Sequence, residues 1–378
     1  MGSIIETLEQ ETGRTCFDTY RRCLDLERAS LIEYDEFSHE FMKEQGESQR
    51  FSGARNIQQI ALDWQERQPA FRLFMDGSRR TYKIADMPIA SQVFPVIAGQ
   101  VGIAVCKRED QVLSPCRFTL HVVLAVPDKL DTEGKNEKQH RAFLANLVQK
   151  LNINQDRVKL DAVLLYPTRA NENFEDKGIA RIQEYMIEQE KEMVQSLVHA
   201  HLINDRSWLI KDGSLEYNRL SDKDDRFAFN RIRSNYKRVV GVSKSFNPEL
   251  AKLKNGRSAA GMIAQLQPFE RTPAAMYQTD RVDGKFAVWY VRLRSARKSR
   301  GPFDGIVKVE KILVSDRELA YGLETSEVDN ISAWLMNERN PVCYGKDDRW
   351  ANHLYPVYLT ETFIKSKYRG TAHFINLF

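Results

Sequence analysis

Phe71-Arg72-Leu73-Phe74-Met75 runs into Asp76-Gly77-Ser78, and Ser207-Trp208-Leu209-Ile210-Lys211 runs into Asp212-Gly213-Ser214. In both, a short, largely apolar segment of strand-like composition ends on an aspartate, and the glycine that follows can turn the chain away. Two strands ending this way bring two carboxylates to one edge of a sheet. Paired carboxylates make a hard-oxygen site, the kind that takes Mg2+ or Mn2+ for phosphoryl chemistry. Asp-Gly is also a common turn dipeptide. The chain offers an internal comparison: Asp283-Gly284 and Asp304-Gly305 stand before the strand-like runs Phe286 to Val291 and Ile306 to Val309. Those two pairs read as turns that open strands. The first two read as turns that close them, at the carboxyl end where open α/β sheets carry their sites.

A length of 378 residues suits one large domain or two ordinary ones, and 42% hydrophobic residues supply a substantial core. A charged fraction of 29% and a net charge of +4 describe a mildly basic, water-compatible protein, a weak pointer to an anionic partner. Met1-Gly2-Ser3-Ile4-Ile5-Glu6 has no basic region ahead of an apolar run, so it does not read as a signal peptide. The longest apolar stretch, Val93 to Cys106, holds Pro95 and Gln100 and is too short to span a bilayer. Five cysteines with no CxxC, and a Cys106, Cys116, His121 spacing that matches no zinc pattern, predict free thiols in a reducing cytoplasm.

Residues 1–65 read as mainly helical, with Leu24, Leu31, Tyr34, Phe37 and Phe41 near helical spacing. They are expected to form an appendage for dimerisation or docking, or a cap on the core. Residues 66–378 would form the main domain. Within it, strands are expected at 71–75, 92–106, 118–126, 158–166, up to Asp212, 239–242, 286–294 and 306–314. A polar insertion at about 128–157 carries a helix over 140–151. Further helices are expected over 176–201, 225–239, 326–336 and 358–367. Strands mixed with helices, after an early antiparallel run, predict an α/β fold on a mixed sheet.

The helix over 176–201 bears on the site. Ile179, Ile182, Met186, Met193 and Leu197 form one apolar stripe, and Glu190 falls inside it. A carboxylate on a buried face is costly unless something neutralises it. A metal shared with Asp76 and Asp212 would do so, and so would an Arg or Lys partner.

With these residues in place, the chain resembles the NurA nuclease family. Phe74 to Ser78 is similar to the family's first aspartate motif, and Leu209 to Leu215 to its Asp-Gly-Ser-Leu motif. Val239-Val240-Gly241-Val242-Ser243-Lys244 is similar to the Gly-Val-x-Lys strand, and Tyr355-Pro356-Val357-Tyr358-Leu359 to the Tyr-Pro-x-x-Leu segment. The ordered set covers about 71–365. The resemblance implies an RNase H-like fold related to the PIWI domain of Argonautes. It implies a metal-dependent DNA nuclease, homodimeric, working with a hexameric HerA-type ATPase in DNA end processing or anti-phage defence. It implies that Asp76 and Asp212 are metal ligands. It also agrees with a ligand role for Glu190 on the helix before the second strand. The family places a histidine where this chain has Phe363; Glu361 on the same helix, or His353, would have to substitute.

The chemistry expected is phosphodiester hydrolysis with two Mn2+ or Mg2+ ions about 4 Å apart. Asp76 would bridge them, Asp212 and Glu190 would each hold one side, and Lys244 would meet the scissile phosphate as a point charge. Basic residues follow both aspartates: Arg79 and Arg80; then Arg231, Arg233, Lys237 and Arg238 beside Phe227, Phe229 and Tyr236; then Arg292, Arg294, Arg297, Lys298 and Arg300. Arg292 and Arg294 alternate along a strand and give the best candidate DNA track, although charge runs are often only solvated faces. No GxxxxGK[ST] occurs, and Gly256-Arg257-Ser258-Ala259-Ala260-Gly261 misses a GxSxG elbow by one residue. The rival reading is a catalytically decayed RNase H-like DNA-binding or motor-adaptor protein.

Overall fold

The computed structural model describes residues 3–27, 39–43, 46–50, 53–130, 137–153, 158–169, 173–215, 233–253, 256–279, 282–295, 301–343 and 350–378. Among the described residues, thirteen strands join in one mixed sheet. They are β1 (Phe17–Cys23), β2 (His39–Lys43), β3 (Arg55–Asn56), β4 (Phe71–Ile89), β5 (Gln92–Glu109), β6 (Val112–Pro127) and β7 (Ala162–Tyr166). Then come β8 (Trp208–Asp212), β9 (Val239–Ser243), β10 (Glu270–Arg271), β11 (Ala275–Thr279), β12 (Val282–Arg292) and β13 (Ile306–Ile312). The helices of eight residues or more are α1 (Ser3–Thr12), α2 (Gln58–Gln65), α3 (Glu137–Leu151), α4 (Phe174–His199), α5 (Thr325–Asn337) and α6 (Tyr355–Lys367).

The main path across the sheet is β2-β11-β12-β13-β9-β8-β4-β5-β6-β7. At its centre β6, β5 and β4 are antiparallel, and β8 and then β9 run parallel to β4. This is an α/β fold on a mixed sheet flanked by helices. The parallel pairs need long crossovers, and α4 supplies the one that leads into β8.

Side chains alternate across each strand, so each face has its own core. On one face Leu73, Met75, Ile97 and Val101 meet the α4 stripe of Ile179, Ile182, Met186 and Met193. On the other, Phe74, Ile210, Val240 and Trp289 pack under Val328, Ile331 and Leu335 of α5 and Val357 of α6. Burying each of these side chains contributes roughly 1.5–3 kcal/mol.

Three expectations are modified. First, β4 does not stop at Met75 but runs to Ile89, paired with β5 along its length. Asp76-Gly77-Ser78 therefore lies inside a strand and makes no turn. The extension is polar, and partners from afar hold its charged side chains: Arg79 pairs with Asp25, and Lys83 with Glu175. Second, residues 1–65 contribute strands as well as helices. β1 pairs β4, β2 pairs β11 and β3 pairs β10. Phe41 lies on β2 rather than on a helix, and Leu31, Tyr34 and Phe37 lie outside the described residues. Third, the helix expected over 225–239 falls largely outside the described residues; Tyr236–Arg238 is a short 3-10 turn leading into β9.

Candidate functional site

The two aspartates stand side by side. Met75 of β4 is in register with Lys211 of β8, so Asp76 and Asp212 follow as neighbours on parallel strands roughly 4.8 Å apart. Asp212 ends its strand as expected. Gly213 takes φ +83°, a left-handed turn that favours glycine, and its N–H donates to Val242 O at 2.9 Å. Ser214 Oγ and the Leu215 N–H donate to Glu310 Oε2 of β13 at 2.8 and 2.7 Å. A Cβ on Gly241 would stand 2.7 Å from Leu215, so β9 needs glycine there for this loop to close. The sequence Asp212-Gly213-Ser214-Leu215 thus folds onto Gly241 and Glu310.

Lys244, just past β9, reaches the same face. Its Nζ lies 2.9 Å from Asp212 Oδ2 and 3.2 Å from Glu361 Oε2 of α6. Asp76 is buried, and no ion pair reaches it among the described residues. Burial pushes its carboxyl well above the usual carboxylate range, Asp212 adds to the push, and Lys244 opposes it. Burial also acts against the Glu361 carboxylate, but Lys244 and then Lys365 outweigh it and bring Glu361 down to about 2. For the Lys244 ammonium, burial favours loss of the proton; Asp212 and Glu361 overcome it and hold Lys244 above the usual lysine range.

Glu190 approaches from the opposite face. It is buried in the α4 stripe, and its Oε1 lies 2.2 Å from where a Cβ of Gly77 would stand. Gly77 points away from Asp76 by strand alternation, so glycine here admits a carboxylate against the β4 backbone. Lys211 meets Glu190 from β8: its Nζ is 2.9 Å from Glu190 Oε2 and donates to Asp212 O at 2.9 Å. Burial raises the Glu190 carboxyl, with Lys211 opposing. Burial would lower Lys211, yet Glu190 keeps it above the usual value. Of the two neutralisers weighed for Glu190, the lysine is present as Lys211.

The structure brings together Asp76, Asp212, Lys244 and Glu361, with Glu190 behind the sheet. No three His, Cys, Asp or Glu side chains among the described residues form a metal cage, and two lysines stand among the carboxylates. Of the two substitutes for the missing histidine, Glu361 lies at the site. His353 is buried beside Tyr358 and close enough to Glu361 to help hold it ionised. Phe363 points to the far side of α6 and packs edge-on against Phe118, with ring centroids 5.4 Å apart.

The basic residues divide. Arg292 is a correction: its buried guanidinium donates to the carbonyls of Asp304, Ala264 and Pro302, so it offers no track to DNA. Arg294 is spent in the same way on Ala351, His353 and Arg339 carbonyls. The alternation that suggested a basic face instead buries cations against main chain. Arg79 is held by Asp25 and Gln183, and Arg233 donates to Val314 O. Arg80 lies over the Tyr368 ring at 5.2 Å, Lys237 is exposed, and Arg238 pairs with Asp205. Arg231, Arg297, Lys298 and Arg300 lie outside the described residues.

The structure is similar to that of a NurA nuclease. The crystal structure of the enzyme from Sulfolobus solfataricus aligns over 82% of this chain and 85% of that chain, at 11% identity and a TM-score of 0.39. No family model and no curated protein matches the chain. The five cysteines are free thiols, and no helix among the described residues is long and apolar enough to cross a membrane.

Lys211 and Glu310 were not singled out from the sequence. Lys211 had a signal: a lysine inside Trp208-Leu209-Ile210-Lys211-Asp212 cannot sit in a buried strand without a carboxylate partner. Glu310, within Ile306-Val307-Lys308-Val309-Glu310, carried the same signal. It pairs with Lys308 at 2.7 Å, both buried.

Proposed function

We propose that this chain is a metal-dependent deoxyribonuclease that hydrolyses phosphodiester bonds. The observation that carries this reading is Asp76: a buried carboxylate, pressed by Asp212 and Glu361, with no ion pair among the described residues. Such a group calls for a cation. The donor set is all carboxylate oxygen, which fits Mg2+ or Mn2+ rather than a soft metal. Asp76, Asp212 and Glu361 would hold it, with Glu190 completing the charge from behind Gly77. When bound, such an ion lowers the pKa of a water and polarises the phosphate.

The chain's own groups do the rest. Lys244 fixes the Asp212 and Glu361 carboxylates in place and presents an ammonium at the site as a point charge for a phosphate oxygen. Lys211 neutralises Glu190 and ties it to the Asp212 main chain. Arg80, over the Tyr368 ring and on the same face of β4 as Asp76, is a basic side chain for the DNA backbone. The motif resemblance further supports a homodimer acting with a HerA-like hexameric ATPase, in DNA end processing or anti-phage defence.

The test is cleavage of single- and double-stranded DNA with Mn2+ or Mg2+, comparing the natural chain with Asp76→Ala and Asp212→Ala. Cleavage lost in both variants is expected. Absence of any cleavage by the natural chain, with and without the ATPase, removes the enzyme reading. That outcome would favour a decayed DNA-binding protein, the reading to which Phe363 in place of a histidine points.

A further inference from the structure

Past Asp76, β4 forms a ledge beyond the ends of its parallel neighbours. β8 pairs with β4 only as far as Met75, and β1 pairs with it only from Tyr82 onward. Between these points no strand among the described residues closes that edge, and Asp25 reaches only its far end, at Arg79 and Thr81. On the other side β5 stays paired, with Ala104, Gly102 and Gln100 opposite Asp76, Ser78 and Arg80. Side chains alternate along a strand, so Asp76, Ser78 and Arg80 share one face.

The end of α6 is built onto this ledge. Gly102 leaves room for it: a Cβ there would stand 2.6 Å from Ile364 and 3.3 Å from Tyr368 Cε1. Gln100 then holds the residue after Tyr368 at both ends of its amide. The Arg369 N–H donates to Gln100 Oε1 at 2.9 Å, and Gln100 Nε2 donates to Arg369 O at 3.2 Å. The Tyr368 ring fixed in this way faces the Arg80 guanidinium, 5.2 Å from the ring centroid. Among the described residues no carboxylate or carbonyl takes up the Arg80 donors. Arg79, by contrast, is held by Asp25, and Arg292 and Arg294 are spent on main-chain carbonyls. A guanidinium over an aromatic face is held in place while its N–H fork stays open to an oxyanion.

Arg80 stands four residues along β4 from Asp76, about 13 Å at the rise of a strand. A nucleic-acid strand advances about 3.4 Å per nucleotide, so this distance spans about four stacked nucleotides. We infer that Arg80, positioned by Tyr368, is a phosphate subsite for a DNA strand that runs along β4 away from Asp76. This rests on the nuclease reading above and adds where the uncut part of the strand lies. Tyr368 is a positioning residue, because it acts through Arg80.

The test measures binding without cleavage. A labelled single-stranded DNA oligonucleotide is titrated with the full chain in EDTA over a range of salt, and fluorescence anisotropy gives Kd. Arg80→Ala should weaken binding and make the slope of log K against log salt shallower by about 0.7, the loss of one phosphate contact. Arg206→Ala removes the same charge from an exposed residue in the loop that enters β8, at the end opposite Asp212, and should leave the slope as it is. An unchanged slope in Arg80→Ala, or an equal loss in Arg206→Ala, overturns the subsite and leaves the nuclease reading standing. So does a natural chain with no measurable binding. A natural chain that binds with the expected Arg80 dependence but never cleaves with Mn2+ removes the nuclease reading and keeps the subsite. Tyr368→Phe keeps the ring and should bind as the natural chain does, whereas Tyr368→Leu should weaken binding. In an Arg80→Ala background Tyr368→Leu should have no further effect; an equal loss in both backgrounds shows that Tyr368 does not act through Arg80. Arg80→Gln carries the same salt test if Arg80→Ala fails to fold.

Discussion

Glu190 Oε1 occupies the space that a Cβ of Gly77 would fill, 2.2 Å from its ideal position. The glycine after the first aspartate is thus a port through the sheet face, not a turn. Gly77→Ala must expel the Glu190 carboxylate from a buried position and strain its pair with Lys211. The expected cost is about 1–3 kcal/mol in thermal or denaturant unfolding. In a Glu190→Ala background the collision is gone, so the same Gly77→Ala change should cost much less. Equal costs in the two backgrounds would show that the two residues do not meet.

The Asp76 carboxyl is raised chiefly by burial, with Asp212 adding to it. A raised acid favours the folded state when protonated, and that contribution is lost as pH rises through the folded pKa. Asp76→Asn removes the charge and keeps the shape. It should stabilise the metal-free protein at neutral pH, with the gain shrinking in acid, while cleavage is abolished. Melting curves across pH without divalent ions give the result. A neutral-pH loss of stability would mean that the Asp76 carboxylate is already compensated.

The two aspartate motifs show what the sequence could reveal. Asp212 behaves as its local chemistry predicts: an apolar strand, a left-handed glycine and a loop closed on Gly241. Asp76 does not, because β4 continues through Arg79 to Lys83. Those residues look like a loop until Asp25 and Glu175, distant in sequence, neutralise them. Glu190 was legible from helical spacing alone. Lys211, Lys308 and Glu310 were legible only as anomalies, since a charge in an apolar run announces a partner but not which one. The N-terminal strands had no signal, because β1, β2 and β3 are short or charged and exist by pairing with β4, β11 and β10.

Arg292 and Lys237 should separate structural from surface cations. Arg292 is buried with three carbonyls on its guanidinium, so Arg292→Ala leaves those acceptors unpaired and should destabilise by about 2–4 kcal/mol. Lys237 is exposed, and Lys237→Ala should change stability by less than about 0.5 kcal/mol. Urea unfolding of both variants is the measurement. A fully stable Arg292→Ala protein would restore that arginine as a candidate for DNA contact.

Glu310 fixes the second aspartate from a distance. Its Oε2 accepts from Ser214 Oγ and the Leu215 N–H, and its other oxygen faces Lys308 at 2.7 Å. Glu310→Ala leaves a buried lysine and two unpaired donors, with an expected loss of about 3–5 kcal/mol. Glu310→Gln keeps an acceptor for the loop but gives up the charge opposite Lys308. If Glu310 acts on the site by holding the Asp212 loop, the glutamine variant at a temperature where it is folded should bind Mn2+ more weakly, with cleavage recovering as Mn2+ is raised. A purely structural role predicts lower stability with unchanged Mn2+ affinity. The Mn2+ binding curve of the folded variant therefore distinguishes a residue that positions Asp212 from one that only holds β13 to β9.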